Sequence, residues 1–430
     1  MVTLNEHTFL DSQETVYSTT LQNGLTVYLI PKNEFKEAFA LLSVQYGSMD
    51  TQFISNNHLK QDTEGLAHFL EHKLFEMAEG KDVTTQFTDL GAEVNAFTTF
   101  DKTCFYFSTV DKVNENLDVL WHFILEASMT EVSVLKEKDI IRQEIAMYQD
   151  DADYRLYQGV LENLYPNTAL STDIAGSNAS LEKMTLADLQ ESHQTFYKLD
   201  NMTLVLVGHF DKDAVLASLT EKDEEKTPAD KSVIEKEALA YHPVVPRSNI
   251  QMDITQPKIA IGFRGQPLES HQSVLRQELA LKLFFGMVIG WTSHYYQDLY
   301  KKGYIDDSFD FEMEIHSAFQ FVMVSLDTLE PIAMLNQIRK HLDKVSHDSA
   351  ALADLSEEHF TIVKRELYGA FFRELDSIEQ LGMQFVNYLG KGDYFTIPTL
   401  LESLTFTEVV ETGMHFLKTA DVTEFTILPK

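Results

Sequence analysis

The spacing of apolar and polar residues along the chain predicts an α+β protein. Two runs with strand periodicity, residues 16–21 and 25–30, flank Asn23-Gly24, and this order predicts a β-hairpin closed by an Asn-Gly turn. Further predicted elements are strands at 39–46, 92–97 and 103–109, a helix at about 64–77, and several helices between the last of these strands and residue 196. A similar succession of strand, long helix, strands and helices follows residue 248.

The two halves of the chain share a weak similarity that predicts a duplicated unit. The segment that begins at Phe196 aligns without gaps on the segment that begins at Phe416, 220 positions later. The charged residues 221–228 have the composition of a linker. We therefore predict two homologous halves at residues 1–225 and 249–430, each an antiparallel or mixed sheet packed with helices, joined by a linker at 226–248. The predicted helix at 272–285 is then the counterpart of the helix at 64–77.

The predicted helix at 64–77 contains His68-Phe69-Leu70-Glu71-His72. At about 100° per residue, both histidines and Glu71 lie on one helical face. Two imidazoles one turn apart can share a zinc ion, and a glutamate beside them can reach a water molecule at the open coordination position. This HxxEH order is known as the inverzincin motif. The helix at 272–285 lacks it, so we expect one zinc ion per chain. The alternative is a solvated helical face that carries these residues by chance.

A catalytic zinc ion needs a third protein ligand. Glu144 is the best candidate, because its neighbours three and four positions away on a helix are all apolar: Ile140, Ile141, Met147 and Tyr148. A carboxylate in that setting is expected to be buried, and a buried charge is costly unless it is paired or binds a metal. Glu137 lies on the same helical face and could orient one of the ligands. The alternative for Glu144 is pairing with a lysine or arginine elsewhere in the chain.

Glu144 lies 72 residues after His72 and is the second glutamate of a Glu-x6-Glu segment that begins at Glu137. An HxxEH motif followed at this distance by such a segment resembles the pitrilysin/insulinase family of zinc metallopeptidases. Three further stretches agree: Tyr46-Gly47-Ser48, residues 91–98 and residues 201–208. The run HFLEHK-x-FE is most similar to that of bacterial insulinase-like proteins associated with elongation factor P modification. The resemblance implies a pitrilysin-like duplicated fold and a soluble zinc endopeptidase acting on short or unfolded peptides.

The resemblance also implies roles for individual residues. His68, His72 and Glu144 would hold zinc, and Glu71 would act as general base toward the attacking water. An extended peptide would add a strand beside Asn95, Ala96 and Phe97 through backbone hydrogen bonds. The second half would then contribute contacts to substrate or partner rather than a second metal site.

The chain departs from the family pattern in its second half, where members usually carry an arginine, six residues and a tyrosine that bind substrate and stabilise the oxyanion. Here Tyr304 fits the tyrosine, and Gln297 occupies the arginine position. Tyr304 could equally be an ordinary core tyrosine. The missing arginine suggests a homodimer or a heterodimer with a paralogue that lacks HxxEH and supplies it. The alternative function is a weakly active or inactive accessory subunit of such a processing complex.

Composition narrows the choice of partners and location. A net charge of −33 argues against binding to nucleic acid or anionic membranes, which relies on clustered lysine and arginine. The charge either forms a solvated surface or, where it lines a cavity, favours basic peptides. The single cysteine, Cys104, excludes an intrachain disulfide and predicts an inert buried thiol in a reducing compartment. The first residues show no signal peptide pattern, so we predict a cytoplasmic protein.

Overall fold

The structure, a computed structural model, describes residues 4–55, 58–77, 82–225, 234–236, 238–347 and 355–430. It divides into two compact units, and each unit includes a segment from the other half of the sequence. Unit 1 contains the described residues of Met1–Ala146, Thr172–Glu237 and Glu374–Asn387. Unit 2 contains those of Met147–Ser171, Ala238–Arg373 and Tyr388–Lys430.

The described residues form fifteen β-strands. In chain order they are β1 (Asn5–Phe9), β2 (Glu14–Thr20), β3 (Thr26–Pro31), β4 (Ala38–Val44), β5 (Gln52–Ser55), β6 (His58–Gln61), β7 (Ala92–Thr98), β8 (Thr103–Thr109), β9 (Met202–Gly208), β10 (Ile234–Lys236), β11 (Arg247–Met252), β12 (Lys258–Gly265), β13 (Asp310–Ile315), β14 (Gln320–Asp327) and β15 (Asp421–Pro429).

The same residues form fifteen α-helices. They are α1 (Leu66–Leu74), α2 (Thr84–Asp89), α3 (Val113–Leu125), α4 (Glu131–Asp150), α5 (Ala152–Leu164), α6 (Asn178–Lys183), α7 (Leu186–Phe196), α8 (Lys212–Glu225), α9 (Val274–Val288), α10 (His294–Lys301), α11 (Pro331–His347), α12 (Glu357–Leu375), α13 (Ile378–Tyr388), α14 (Ile397–Ser403) and α15 (Phe406–Thr419). No helix in the described part of the chain is long and apolar enough to cross a membrane.

Unit 1 is built on a seven-stranded sheet in the order β1-β2-β3-β9-β4-β8-β7. β3 and β9 pair in parallel, and the other neighbours are antiparallel. Every residue of β4 is buried, because both faces of the sheet are covered. One face packs on the core that includes α1, and on the other Gly382 of α13 lies so close to Phe39 that a Cβ there would approach its ring to 2.5 Å. The glycine thus allows α13 to pack against the sheet.

Unit 2 repeats this arrangement with a five-stranded sheet in the order β11-β15-β12-β14-β13. The order matches β3-β9-β4-β8-β7 strand for strand, including the single parallel pair, β11 with β15. α5 packs on one face of this sheet, where Gly159 contacts Phe425 and Val160 contacts Gly262. α9 packs beside β13, with the rings of Phe285 and Phe311 5.9 Å apart. The predicted α+β class with two related halves is confirmed, and α9 is the counterpart of α1.

The structure adds an exchange of helices that the sequence did not predict. α5 follows α4 of the first half in sequence but packs within unit 2, whereas residues 374–387, most of them in α13, pack within unit 1. The division into residues 1–225, 226–248 and 249–430 stays a prediction. Linker residues 226–233 and 237 lie outside the described residues, while Ile234–Lys236 form β10 and pair with β5.

Candidate metal centre

The HxxEH segment lies on α1, a short helix whose start is fixed by Gly65. Gly65 has a φ of +86°, and a Cβ at this position would lie 2.6 Å from the carbonyl oxygen of Ala175, so only glycine fits. Leu66, Phe69 and Leu70 are buried in the core of unit 1. This packing leaves the face with His68, Glu71 and His72 directed toward α4 and β7. His68 and Glu71 are each only 8% exposed.

α4 brings Glu144 to the two histidines. Its carboxylate oxygens lie 3.6 Å from Nε2 of His68 and 3.3 Å from Nε2 of His72, and the two imidazole rings are 4.6 Å apart. One ligand atom from each of the three residues lies within 4.8 Å of the others. This is the one such group of three or more His, Cys, Asp or Glu side chains among the described residues that could hold a metal ion.

Glu137 fixes the orientation of His72. Its Oε1 lies 3.1 Å from Nδ1 of His72, so Nε2 of the same ring is directed toward Glu144. Burial lowers the pKa of His72, but the hydrogen bonds with Glu137 and Glu144 raise it to about 10 overall. Metal ligation requires the neutral ring, so we expect metal binding here to release a proton.

Glu71 lies beside this group but is not part of it. Its carboxylate accepts a hydrogen bond of 2.5 Å from Oγ1 of Thr98. Burial raises the pKa of Glu71, and the nearby His68 and the Thr98 hydrogen bond offset part of that effect. A carboxyl group with a raised pKa next to a metal site is suited to take up a proton.

β7 is the edge strand of the unit 1 sheet, and it contains the predicted peptide-binding residues. On its inner side it pairs with β8, where Asn95, Ala96 and Phe97 lie opposite Tyr106, Phe105 and Cys104. No other strand in the described part of the chain pairs with β7. Its outer edge can therefore accept a further strand.

A pocket of about 400 Å³ opens next to His72 and Glu71. It lies between the end of α1, β7 and α4, so the candidate metal site, the edge strand and the cavity adjoin one another. The lining residues are Glu71, His72, Phe75, Glu76, Asp82, Asn95, Lys136, Glu137 and Ile140.

The apolar neighbours of Glu144 do not bury it as the sequence suggested. Ile140 is 45% exposed and Met147 60% exposed, and the Glu144 side chain itself is 20% exposed. Ile141 alone of the flanking residues named is fully buried in the core. The expectation of a buried apolar setting for Glu144 was therefore wrong, because one side of α4 faces solvent, and its role as a metal ligand stays a prediction that its position beside His68 and His72 supports.

Gln297 and Tyr304 belong to unit 2, whereas the residues described above belong to unit 1. Gln297 lies in α10, and its Nε2 donates a hydrogen bond of 2.7 Å to the carbonyl oxygen of Trp291. Tyr304 is 47% exposed, so it is not the core tyrosine that sequence left as an alternative. Its role in catalysis stays a prediction.

Comparison with known proteins decides the family. The profile described as insulinase (peptidase family M16) matches residues 32–178, and the profile of the M16 inactive domain matches residues 183–367. The chain belongs to peptidase family M16. It is 35% identical over 97% of both chains to YmfH of Bacillus subtilis, described as an uncharacterized zinc protease. The assignment to proteins associated with elongation factor P modification stays a prediction.

Two further proteins are similar to the chain over different lengths. The crystal structure of an M16-like peptidase from Alicyclobacillus acidocaldarius matches with a TM-score of 0.88 and 28% identity, covering 97% of this chain and 99% of that one. The Arabidopsis thaliana protein described as a mitochondrial-processing peptidase subunit beta is 28% identical over 209 residues, which are 48% of this chain and 38% of that protein. The match to the M16 inactive domain, residues 183–367, contains no HxxEH.

Thr98 is the site residue that sequence reasoning missed. Ala96 was named for its place in the edge strand, and side chains two positions apart in a strand share a face. Since Thr98 ends the same strand, the alternation of side chains predicts that the Thr98 hydroxyl lies on the same face as Ala96. The hydrogen bond to Glu71 depends on how α1 packs on β7, which no local pattern reveals.

Replacement of Glu137 by glutamine is expected to weaken zinc binding about 10- to 100-fold, the usual effect of losing a carboxylate that orients a histidine ligand. A competition titration with a chromophoric chelator measures the change. Glu131→Gln, which alters an exposed carboxylate at the start of the same helix, is the matched control. Equal zinc affinity in both variants would show that the hydrogen bond to His72 has no orienting effect.

Proposed function

We propose that this chain is a zinc-dependent endopeptidase that hydrolyses peptide bonds in short or unfolded peptides. The convergence of His68, His72 and Glu144, with Glu71 beside them at the wall of a pocket, is the observation that carries the proposal. Family membership and a relative described as a zinc protease support it.

The donor set fits a zinc ion. Two imidazole nitrogens and a carboxylate oxygen are ligands that zinc uses at catalytic sites, and His72 has the carboxylate partner on its other ring nitrogen that metal-binding histidines usually have. When bound, the ion would act as a Lewis acid that polarises the scissile carbonyl and acidifies water. Glu71 takes the proton from the attacking water and passes it to the leaving amine. Glu137 keeps the His72 ring oriented.

β7 supplies the proposed peptide-binding edge. Asn95 is exposed, and its Oδ1 accepts a hydrogen bond of 2.8 Å from the backbone N–H of Ala96. A carbonyl of an extended peptide can take over this donor, and Phe97 continues the same edge toward Thr98. Recognition of this kind depends on backbone groups more than on side chains. This supports a preference for chains without secondary structure of their own.

The proposal is tested with a mixture of fluorogenic peptides of varied sequence and the zinc-loaded protein. We expect turnover that is lost on treatment with a zinc chelator and restored by adding zinc in slight excess. One protein offered in its folded and in its unfolded form serves as control. The folded form should be cleaved far more slowly than the unfolded form. Turnover that survives complete removal of the metal would contradict a metal-dependent reaction.

A second function, that of an accessory subunit with little hydrolysis of its own, is favoured by one observation. Gln297 stands where family members usually have arginine. We propose that the functional form is a homodimer or, with a paralogue lacking HxxEH, a heterodimer. The relative described as subunit beta of a processing peptidase supports this form of assembly.

Sedimentation of the chain with and without such a paralogue, combined with peptide turnover, separates the two functions. A monomer whose turnover the paralogue does not change would rule out the shared site.

We propose a cytoplasmic location, which rests on cysteine chemistry. Cys104 is the one cysteine in 430 residues, and burial raises the pKa of its thiol to about 12. A protein without disulfides and with an inert thiol fits a reducing compartment.

The net charge of −33 supports peptide substrates over nucleic acid.

A further inference from the structure

The hydroxyl of Thr98 donates a hydrogen bond to the carboxylate of Glu71. The two oxygens are 2.5 Å apart, a distance typical of a hydroxyl that donates to a carboxylate. Thr98 ends β7, and Ala96 and Val94 precede it on the same face of the strand. The edge strand and the candidate base are therefore joined by one short hydrogen bond.

Thr103 on the adjacent strand places a second hydroxyl near that of Thr98. The two threonines lie opposite each other, with their hydroxyl oxygens 3.4 Å apart. Thr103 is fully buried and donates its own hydrogen to the carbonyl oxygen of Tyr46 at 2.8 Å. A hydroxyl has one hydrogen to donate, and for Thr98 the closer acceptor is Glu71.

We propose that Thr98 is a positioning residue that holds the Glu71 carboxylate in the orientation needed to accept a proton. The inference rests on the proposed peptidase function and adds to it. Because Thr98 lies on the strand that is proposed to pair with the peptide, binding at that edge also fixes the residue that orients the base. Peptide binding and base orientation are in this way coupled through a single side chain.

The variant Thr98→Val replaces the hydroxyl by a methyl group of similar size, and Thr98→Ser retains the hydroxyl. With zinc-loaded protein and a fluorogenic peptide, we expect kcat of Thr98→Val to fall about 10- to 100-fold, as for loss of a hydrogen bond to a charged group. KM should stay within about threefold, and Thr98→Ser should keep kcat within about threefold of wild type, by the same reasoning. Zinc content should be equal in all forms.

Thr109→Val is the matched control. Thr109 is a buried threonine on β8, opposite the far end of β7, and its hydroxyl donates to the carbonyl oxygen of Asp111 at 2.6 Å. We expect this variant to retain wild-type kcat. Should Thr98→Val fail to fold, Thr98→Ala removes the same hydroxyl without adding a methyl group. A loss confined to KM, an unchanged kcat, or a kcat that Thr98→Ser does not rescue would overturn the inference.

Crystal structures of wild type and Thr98→Val provide a readout that does not depend on activity. We expect a single Glu71 orientation with its carboxylate on Thr98 in wild type, and a displaced or multiple orientation in the variant. An unmoved Glu71 would overturn the positioning role even for an active enzyme. Absence of any hydrolysis by wild type would instead contradict the proposed function, and the two structures would still decide the role of Thr98.

Discussion

Replacement of Glu71 by glutamine is expected to lower kcat for peptide hydrolysis by a factor on the order of 10²–10⁴, the usual contribution of a general base. Glutamine has the same shape and can accept the Thr98 hydrogen bond, but it cannot take a proton from water. Glu71 is not among the three side chains that converge as metal ligands. Zinc content should therefore stay at the wild-type value, and elemental analysis measures it on the same preparations used for kinetics.

The control for this variant is Glu64→Gln, which changes an exposed carboxylate directly before Gly65. It should leave both kcat and zinc content unchanged. If Glu71→Gln turns over peptide as fast as wild type, Glu71 is not the base. If the variant loses its zinc, Glu71 contributes to metal binding and its assignment as a separate group is wrong.

Loss of any one of the three converging ligands is expected to weaken zinc binding by more than about 100-fold, which exceeds the effect of losing an orienting partner. The variants are His68→Ala, His72→Ala and Glu144→Gln. A catalytic zinc site is held by three protein groups, so two cannot retain the ion against a chelator. Competition titration gives the affinities, and elemental analysis after dialysis should find far less than one zinc per chain.

His122→Ala tests whether such losses are specific. His122 is an exposed histidine on α3, and its ring contacts the carbonyl oxygen of Asp118 in its own helix. Zinc affinity in this variant should equal that of wild type. Equal affinity in wild type and all three ligand variants would mean that any bound zinc lies elsewhere on the chain.

Elements whose conformation is decided by neighbouring residues could be predicted from sequence. Gly24 has a φ of +95°, a left-handed conformation that favours glycine in a turn, and the Asn23 side chain accepts a hydrogen bond of 3.1 Å from Leu25 N–H. The spacing of His68 and His72 needed only the geometry of a helix to place the two rings on one face. Strand β8 has the predicted bounds, residues 103–109.

Features that depend on packing between distant segments could not be predicted. The exposure of Ile140 and Met147 is decided by what covers α4, so an apolar sequence around Glu144 gave the wrong burial. The Thr98–Glu71 hydrogen bond depends on the packing of α1 against β7. β10 comes from the region predicted as linker, yet it pairs with β5, because an unpaired strand edge can bind any extended segment that reaches it.

The exchange of α5 and α13 has a consequence for synthesis of the protein on the ribosome. The unit with the candidate metal centre lacks the helix over one face of its sheet until translation has passed residue 387 of 430. Until then Phe39, against which Gly382 of α13 packs, lacks that helix. We therefore expect the nascent chain to expose apolar surface at Phe39 until late in its elongation, a state that chaperones recognise and that favours aggregation. A protein with contiguous halves could complete its N-terminal half midway through translation; this one cannot.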